Sequence, residues 1–241
     1  MSLKEKTILI TGSARRIGKS MAIAIAQAGG DVIIHHSSSD ESAEETRSEI
    51  RSLGRQAHVI KADLSDYQQT SKLIERAWSI GSIYAIVNNA SVFDKLNISN
   101  TTIDAWNHHL DINLTAPFLL CQAFANKLGS THEGRIINIL DWRALRPGKD
   151  HLPYTISKAA LVALTKSLAV ALSPNILVNG LAFGAILPPS DGSDTEGILS
   201  NVPAGRWAEL QEVNSSLIFL LNGPKYITGE IIHLDGGRHL V

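Results

Sequence analysis

The chain has 241 residues, a hydrophobic fraction of 44% and a formal net charge of −1. This length suits one α/β domain better than two half-sized domains, and a near-neutral charge gives no electrostatic reason to expect nucleic acid as the partner. No apolar run approaches the ~18 residues that span a membrane, and no secretory signal opens the chain. The single cysteine, Cys121, lies in an apolar pattern and is predicted to be inert core in a cytoplasmic protein.

Short β-branched runs alternate along the chain with longer helical patterns. Strands are predicted at 7–11, 31–35, 57–61, 83–88, 135–140, 176–179 and 230–234. Helices are predicted at 18–29, 41–53, 67–78, 154–172 and 210–221, with 102–128 mostly helical. Continuous apolar strands indicate burial on both faces, hence a parallel sheet with helices on both sides. Right-handed crossovers then give one doubly wound α/β domain of the Rossmann type over 1–241. The segment 187–203, with three prolines and two glycines, is predicted to be a long mobile substrate loop.

Ligands of such a fold bind beyond the carboxyl ends of the strands, and the first strand is followed by the sequence TGSARRIG, from Thr11 to Gly18. Gly12 permits a tight turn, and Gly18 lets the next helix approach the strand closely. The helix N-terminus then offers free N–H groups to a pyrophosphate, with Arg15, Arg16 and Ile17 in the same loop. The alternative is a glycine turn that binds nothing.

The end of the second strand indicates which dinucleotide would bind. An NAD site usually has an acid there, but this chain has none before Asp40; it has His36, Ser37, Ser38 and Ser39. These groups can hydrogen-bond a 2′-phosphate, and Arg15 can supply positive charge, so NADP(H) is predicted. Alternatively, the serines only cap the next helix. After the third strand, Asp63 and Leu64 are predicted beside the adenine; the alternative for Asp63 is a cap for the helix at 67.

Tyr154 and Lys158 are four residues apart on a predicted helix, so their side chains share one face. An ammonium beside a phenol favours the phenolate and is expected to lower the pKa of Tyr154 from ~10 toward working pH. The pair would then act as a general acid during hydride transfer.

Taken in order, these motifs resemble the short-chain dehydrogenase/reductase family over essentially the whole chain. They are the glycine loop, Asn88-Asn89-Ala90, Asn113, Tyr154-x-x-x-Lys158 and Asp235-Gly236-Gly237. The resemblance implies NAD(P)-dependent hydride transfer with Asn113, Tyr154 and Lys158 in the catalytic relay. It also implies that Tyr154 and Lys158 contact the cofactor, that the channel is lined by Asn88, Asn89 and Ala90, and that the helices holding Asn113 and Tyr154 build a homotetramer.

Departures from the general pattern are similar to the pteridine reductase branch, and the ending Leu234 to Leu240 resembles dihydromonapterin reductases. Arg16 stands where the family has a glycine, and Asp141 where it has a serine. The branch implies that Arg16 faces cofactor phosphate and substrate, that Asp141 joins Tyr154 and Lys158, that Phe93 stacks on the pterin, and that Ser91 binds cofactor or pterin. The alternatives are that Asp141 only ends a strand, Arg16 binds only phosphate and Phe93 is core. Three residues that follow Asp141 either rim the pocket or form an exposed loop: Trp142, Arg143 and Arg146.

The expected nicotinamide loop also departs from the family. It reads Phe183-Gly184 in place of Pro-Gly, and Pro188 stands at a position that often holds threonine. Backbone groups of Ile186 could replace the missing contact beside Gly184. The nine histidines lack metal-ligand spacing apart from the adjacent pairs His35-His36 and His108-His109, which point in different directions, so no metal is predicted.

The sequence therefore predicts an NADPH-dependent reductase that acts on a small molecule, a pterin or dihydropterin C=N bond. One alternative is a carbonyl reductase for another small ketone or aldehyde. A second is a catalytically silent NADP sensor built on the same fold.

Overall fold

A computed structural model describes residues 2–129, 132–188, 195 and 197–241 of the chain. They include seven strands that form one sheet in the order β3-β2-β1-β4-β5-β6-β7, with every neighbouring pair parallel. The predicted parallel doubly wound sheet is confirmed. The strands are β1 Thr7–Ile10, β2 Asp31–His36, β3 Ala57–Lys61, β4 Ala85–Asn88, β5 Gly134–Asp141, β6 Ile176–Phe183 and β7 Ile231–Leu234.

Helices cover both faces of this sheet because successive side chains of a strand point to opposite sides. The helices are α1 Arg16–Gln27, α2 Asp40–Ser52, α3 Tyr67–Trp78, α4 Ile103–Leu110, α5 Ala116–Leu128, α6 Leu152–Leu172 and α7 Leu210–Asn222. In β1, Ile8 and Ile10 pack into the core under α1, α2 and α7, whereas Leu9 packs into the core under α3 and α5.

The segment 102–128, predicted to be mostly helical, is confirmed as helical from Ile103 to Leu128, with a π-helical turn at Asp111–Thr115 between α4 and α5. The predicted end of the sixth strand at 179 was wrong, because β6 runs on to Phe183. Gly180 lies inside β6 and leaves room for the Leu140 side chain of β5, since a Cβ at this position would lie 2.5 Å from Leu140 Cδ1.

The predicted loop at 187–203 is only partly described. Positions 189–194 and 196 lie outside the described residues. A 3₁₀ turn at Leu199–Asn201 precedes Val202, which is 5% exposed. The end of this segment is therefore packed on the domain, and the mobility of the rest of the loop stays a prediction.

The expectation that no run is apolar enough to cross a membrane was wrong for α6. This helix meets the length and composition test, with a mean hydropathy of 1.5. In the structure α6 packs on β5 and β6 through residues such as Leu161 and Ala169. Core helices of globular domains meet the same test. On the outer side of α6, Ile156 is 41% and Val170 is 83% exposed. No other element of the described chain covers these two apolar side chains.

Candidate active site

The glycine loop between β1 and α1 forms a bare backbone cradle. Gly12 has a φ of +63°, and a Cβ there would lie 3.0 Å from Ala90 Cα. At Gly18 a Cβ would meet Gly12 O at 2.2 Å. Both positions therefore require glycine. Arg15 stands before the first turn of α1, which has no acidic residue and no side-chain cap, so the first N–H groups of this helix face the cleft as a site for an anion.

His35 supports the glycine loop through a hydrogen bond to its backbone. The sequence did not indicate this role. His35 Nδ1 accepts a hydrogen bond from the Gly12 N–H at 3.2 Å, and its Nε2 lies 3.1 Å from Ala62 O. Burial lowers the pKa of His35 to about 4. The ring is therefore neutral, and a proton on Nε2 satisfies both contacts.

The Asn-Asn-Ala segment closes the cradle from the side of β4. Asn89 Nδ2 donates to Thr11 O at 2.9 Å and to Gly12 O at 3.1 Å, and the Ala90 N–H donates to Thr11 Oγ1 at 3.0 Å. Asn88 does not line the channel, contrary to expectation: it is buried and donates to Asn138 Oδ1 at 2.8 Å. An alternating strand turns Asn88 and Asn89 in different directions.

These elements enclose a cleft of about 480 Å³ beyond the carboxyl ends of β1, β2 and β3. Most residues predicted to bind cofactor line it together: Gly12, Arg15, Arg16, Ile17, Gly18, His36, Ser37, Ser38, Ser39, Asp63, Leu64, Asn89, Ala90 and Ser91. The other four predicted cofactor residues line the adjoining cleft described below: Tyr154, Lys158, Gly184 and Ile186.

The side chains of Ser39 and Asp63 do not cap α2 and α3, which was the alternative interpretation of the residues after β2 and β3. Ser39 occupies the N-cap position of α2 without a side-chain capping bond. The cap of α3 is Asp66, whose carboxylate accepts from the Gln68 and Gln69 N–H groups. Asp63 instead accepts from Ser65 N and Oγ.

The donors at the end of β2 fit the 2′-phosphate of NADP(H). His36 Nδ1 is buried without a partner, and the hydroxyls of Ser37 and Ser38 are exposed beside it. The nearby acid Asp40 is paired with Lys61 Nζ at 2.8 Å, so its charge is balanced locally. A phosphate between Arg15 and these groups would meet donors without an unpaired carboxylate.

Arg16 connects the glycine loop to the segment after β6. It takes a left-handed φ of +54°, which a family glycine would adopt without strain. Its Nη2 donates to Pro188 O at 2.7 Å, and the side chain lines the cofactor cleft. Its contact with a substrate stays a prediction.

A second cleft of about 770 Å³ adjoins the first and shares Ile17, Asn89, Ser91 and Phe93 with it. It contains all the predicted catalytic side chains except Asn113, which lies behind its wall. The two clefts are therefore continuous, as transfer between a dinucleotide and a second molecule requires.

Asp141, Tyr154 and Lys158 meet in this cleft. The Tyr154 hydroxyl donates to Asp141 Oδ2 at 3.0 Å, and the Asp141 Oδ1 atom accepts from the Arg143 N–H at 2.8 Å. Lys158 Nζ donates to Ile139 O at 2.7 Å and lies 5.8 Å from the centre of the Tyr154 ring. Asp141 is thus more than a strand end: its carboxyl group contacts the reactive phenol.

The protonation of this group differs from the sequence expectation. Burial, and then the Asp141 carboxylate, raise the pKa of Tyr154 well above its usual value of 10, so the expected phenolate was wrong. Burial also raises the pKa of Asp141 and lowers the pKa of Lys158 to about 8. The phenol keeps its proton, as a proton donor for a reduction must.

Asn113 organises the site from the π-helical turn. Its Oδ1 accepts from the Val92 N–H at 2.9 Å and from Ser91 Oγ at 3.0 Å, and its Nδ2 donates to Ser157 Oγ at 3.0 Å. Ser157 in turn donates to Tyr154 O at 2.7 Å. Asn113 therefore ties the segment after β4 to the helix that carries the phenol.

Phe93 is not core, because 49% of it is exposed. One ring face stacks on His151, with centroids 3.9 Å apart and planes 6° apart, and Tyr154 meets Phe93 edge-on at 4.5 Å. Sequence reasoning missed His151, since a lone histidine before a helix carries no signal. Its Nδ1 contacts Asp94 O at 2.9 Å, which fixes the ring behind Phe93.

Of the three residues after Asp141 that were expected to rim the pocket or to form an exposed loop, only Arg143 lines the cleft. Trp142 and Arg146 are not part of its lining, and Arg146 is exposed. Arg238, near the end of the chain, lines the same cleft and was missed. The described residues contain no cluster of three His, Cys, Asp or Glu side chains that could hold a metal.

A doubly wound sheet with a glycine cradle and an adjoining Tyr-Lys pair defines a dinucleotide-dependent oxidoreductase. The family model described as short chain dehydrogenase matches residues 6–198. The chain therefore belongs to the short-chain dehydrogenase family and is an NAD(P)-dependent oxidoreductase.

Individual relatives differ in what they reduce. A protein of Aquifex aeolicus named 3-oxoacyl-[acyl-carrier-protein] reductase FabG is 34% identical over 245 residues, covering 98% of each chain. The crystal structure of FolM, alternative dihydrofolate reductase 1, from Brucella canis complexed with NADP is 34% identical, with a TM-score of 0.92 and coverage of 100% of this chain and 97% of that one. A short chain dehydrogenase from Burkholderia cenocepacia in complex with NADP is 30% identical, with a TM-score of 0.93 and coverage of 99% of each.

Proposed function

We propose that this protein is an NADPH-dependent reductase of a pterin or dihydropterin C=N bond. The observation that carries the proposal is the hydrogen bond from the Tyr154 hydroxyl to the partly buried Asp141 carboxyl, directly beside the half-exposed ring of Phe93. The Brucella canis structure described as an alternative dihydrofolate reductase supports this substrate class. The Aquifex aeolicus reductase, by its name, favours the rival class of ketone substrates.

NADPH is the proposed cofactor because the donor set at the end of β2 suits a phosphate. His36 Nδ1 is buried without a partner, and Arg15, Ser37 and Ser38 are exposed around the same cleft. The solved relatives from Brucella canis and Burkholderia cenocepacia hold NADP. When bound, NADPH supplies the hydride that reaches the ring carbon.

The protein's own groups supply the proton. Tyr154 holds it at Oη, because burial and the Asp141 carboxylate raise the pKa of the phenol, and gives it up to the ring nitrogen. The Lys158 ammonium, 5.8 Å from the ring centre, stabilises the phenolate left behind. Asp141, whose pKa is raised by burial, can then take up a proton from the water of the cleft and pass it to that phenolate across the 3.0 Å contact.

An electron-poor pterin ring needs a flat apolar surface and a hydrogen-bonding edge. Phe93 offers a ring that is fixed on one face by His151 and braced at its edge by Tyr154. A carboxyl group such as Asp141 can bond the amino-pyrimidinone edge of a pterin. A simple ketone would use neither feature.

The test is NADPH consumption with a panel of dihydropterins, pterins, ketones and aldehydes. Phe93→Ala should raise the KM of a pterin by the factor that corresponds to about 1–3 kcal/mol of binding free energy, the scale of stacking on an aromatic side chain. The KM of a small ketone should not change. Ketone turnover without pterin turnover would show that the protein is a carbonyl reductase. NADPH binding without turnover of any compound would support the alternative of a catalytically silent NADP sensor.

The protein is also proposed to assemble as a homotetramer through α4, α5 and α6. Large apolar side chains remain exposed along these helices: Ile103 at 70%, Phe118 at 39%, Ile156 at 41% and Val170 at 83%. Large apolar side chains that stay exposed on these helices favour a contact with another protein. A second copy of the same chain is the proposed partner, because most soluble oligomers are symmetric assemblies of identical chains.

A further inference from the structure

Two guanidinium groups lie against one indole at a wall of the substrate cleft. Arg143 Cζ is 4.8 Å and Arg238 Cζ is 4.3 Å from the centre of the Trp142 ring. They come together because the 3₁₀ turn after β5, Trp142–Ala144, packs against the C-terminal 3₁₀ turn, Arg238–Leu240. Both arginines line the cleft that contains Tyr154.

Arg238 has no anionic partner within the described part of the chain. Its Nε is buried without a hydrogen-bond acceptor, and no carboxylate there forms an ion pair with it. Burial, and then the nearby Arg143, lower the pKa of Arg238. A guanidinium N–H that is buried without an acceptor costs free energy, which a bound anion would recover.

The neighbouring acid Asp235 cannot supply that acceptor. Its Oδ1 accepts from the Gly237 N–H at 2.9 Å, and its Oδ2 accepts from the His239 N–H at 2.9 Å and contacts His239 Nδ1 at 2.7 Å. Gly237 takes a left-handed φ of +85°. The carboxylate is therefore used to shape the turn that presents Arg238.

Three further acids line the cleft: Asp94, Asp141 and Asp150. Asp141 accepts from the Arg143 N–H and from the Tyr154 hydroxyl, and its Oδ1 lies 3.9 Å from Arg143 Nη1. Asp150 Oδ2 lies 3.7 Å from His151 Nε2, and Asp94 Oδ2 lies 3.7 Å from His109 Nε2. Within the described part of the chain, none of these carboxylates forms an ion pair with Arg238.

We propose that Arg143 and Arg238 bind an anionic group, a carboxylate or a phosphate, on the tail of the substrate. Arg143 Cζ lies 5.4 Å from the centre of the Phe93 ring, so this subsite adjoins the aromatic surface proposed for the pterin. Cation–π contact with the indole positions both guanidinium groups without using an N–H donor, so it does not compete with charge-assisted bonds to an anion. The inference rests on the proposed function for the identity of the ring, and narrows the substrate to a pterin with an acidic tail.

The test compares three dihydropterins with the same ring: the neutral hydroxymethyl compound, its phosphate monoester, and dihydrofolate with its glutamate carboxylates. In the NADPH-loaded enzyme, Arg238→Gln and Arg143→Gln should each raise the KM of an anionic compound relative to the neutral one by about tenfold or more, the scale of one lost charge-assisted bond. Whichever anionic compound shows the larger change identifies carboxylate or phosphate. Arg146→Gln removes an equal charge from the exposed neighbour outside the cleft and should leave the ratio unchanged.

Calorimetry with p-aminobenzoyl-glutamate and with inorganic phosphate on the NADP-loaded protein tests the subsite without turnover. Binding of either probe that is lost in Arg238→Gln, with circular dichroism unchanged, supports the anion site even where no dihydropterin is reduced and the proposed function fails. The proposal would be overturned if the ratio of the KM values for the anionic and neutral compounds were the same in all variants and neither probe bound. A change in assembly state of Arg238→Gln without a change in the ratio or in probe binding would also overturn it, assigning the arginine to a contact between copies.

Discussion

Asp141 is the residue whose replacement separates pterin reduction from general carbonyl reduction. Its two carboxyl oxygens accept from the Tyr154 hydroxyl at 3.0 Å and from the Arg143 N–H at 2.8 Å. Serine at this position is too short to keep both bonds. A hydrogen bond that involves a charged group contributes about 1.5–3 kcal/mol, so Asp141→Ser should lower pterin turnover by about 10- to 150-fold.

The assay is the loss of NADPH absorbance with a dihydropterin and, in parallel, with a small ketone. Asp141→Ser should leave NADPH affinity unchanged, and ketone turnover should stay level or rise because serine is the usual family residue. Asp141→Asn is the matched variant of equal size. Since burial raises the pKa of Asp141, its charged form is disfavoured in the folded protein, and a neutral amide should leave the unfolding midpoint at pH 7 unchanged or higher.

Two results would refute this reasoning. Pterin and ketone turnover reduced by the same factor would mean that Asp141 acts on the common proton relay alone. Unchanged turnover of a pterin in both variants would show that the carboxyl group is not used at all.

Four further predictions concern the proton donor, the lysine, the cofactor and assembly. Tyr154→Phe should keep NADPH binding but lower kcat by ~10²-fold or more; near-normal turnover would mean that the proton comes from elsewhere. Because the Lys158 pKa is lowered to about 8 and its charged form stabilises the phenolate, kcat should fall as pH rises through about 8, which a pH profile would check. Arg15→Ala should weaken NADPH far more than NADH in fluorescence titrations, and tighter binding of NADH by the unaltered protein would contradict the cofactor assignment. Light scattering at micromolar concentration should give a tetramer, and a monomer would contradict the role of α4 to α6.

The sequence by itself determined the fold and the residues that line the cleft proposed for the cofactor. Strand and helix periods follow from local burial patterns, and the glycine cradle needs residues whose missing side chains are visible in the sequence, as Gly12 and Gly18 show. The tyrosine, lysine and aspartate could also be named, because their spacing matches a family motif.

Only the tertiary structure decided how those residues are charged and what surrounds the substrate. The sequence predicted a phenolate at Tyr154, but burial and a facing carboxylate raise its pKa, and neither effect is visible from spacing on one helix. Arg238 and His151 were missed because each reaches the cleft through contacts with residues distant in the chain, Trp142 and Phe93. Local sequence patterns indicate which face of a helix or strand is buried. Desolvation and stacking depend on which other element packs against that face.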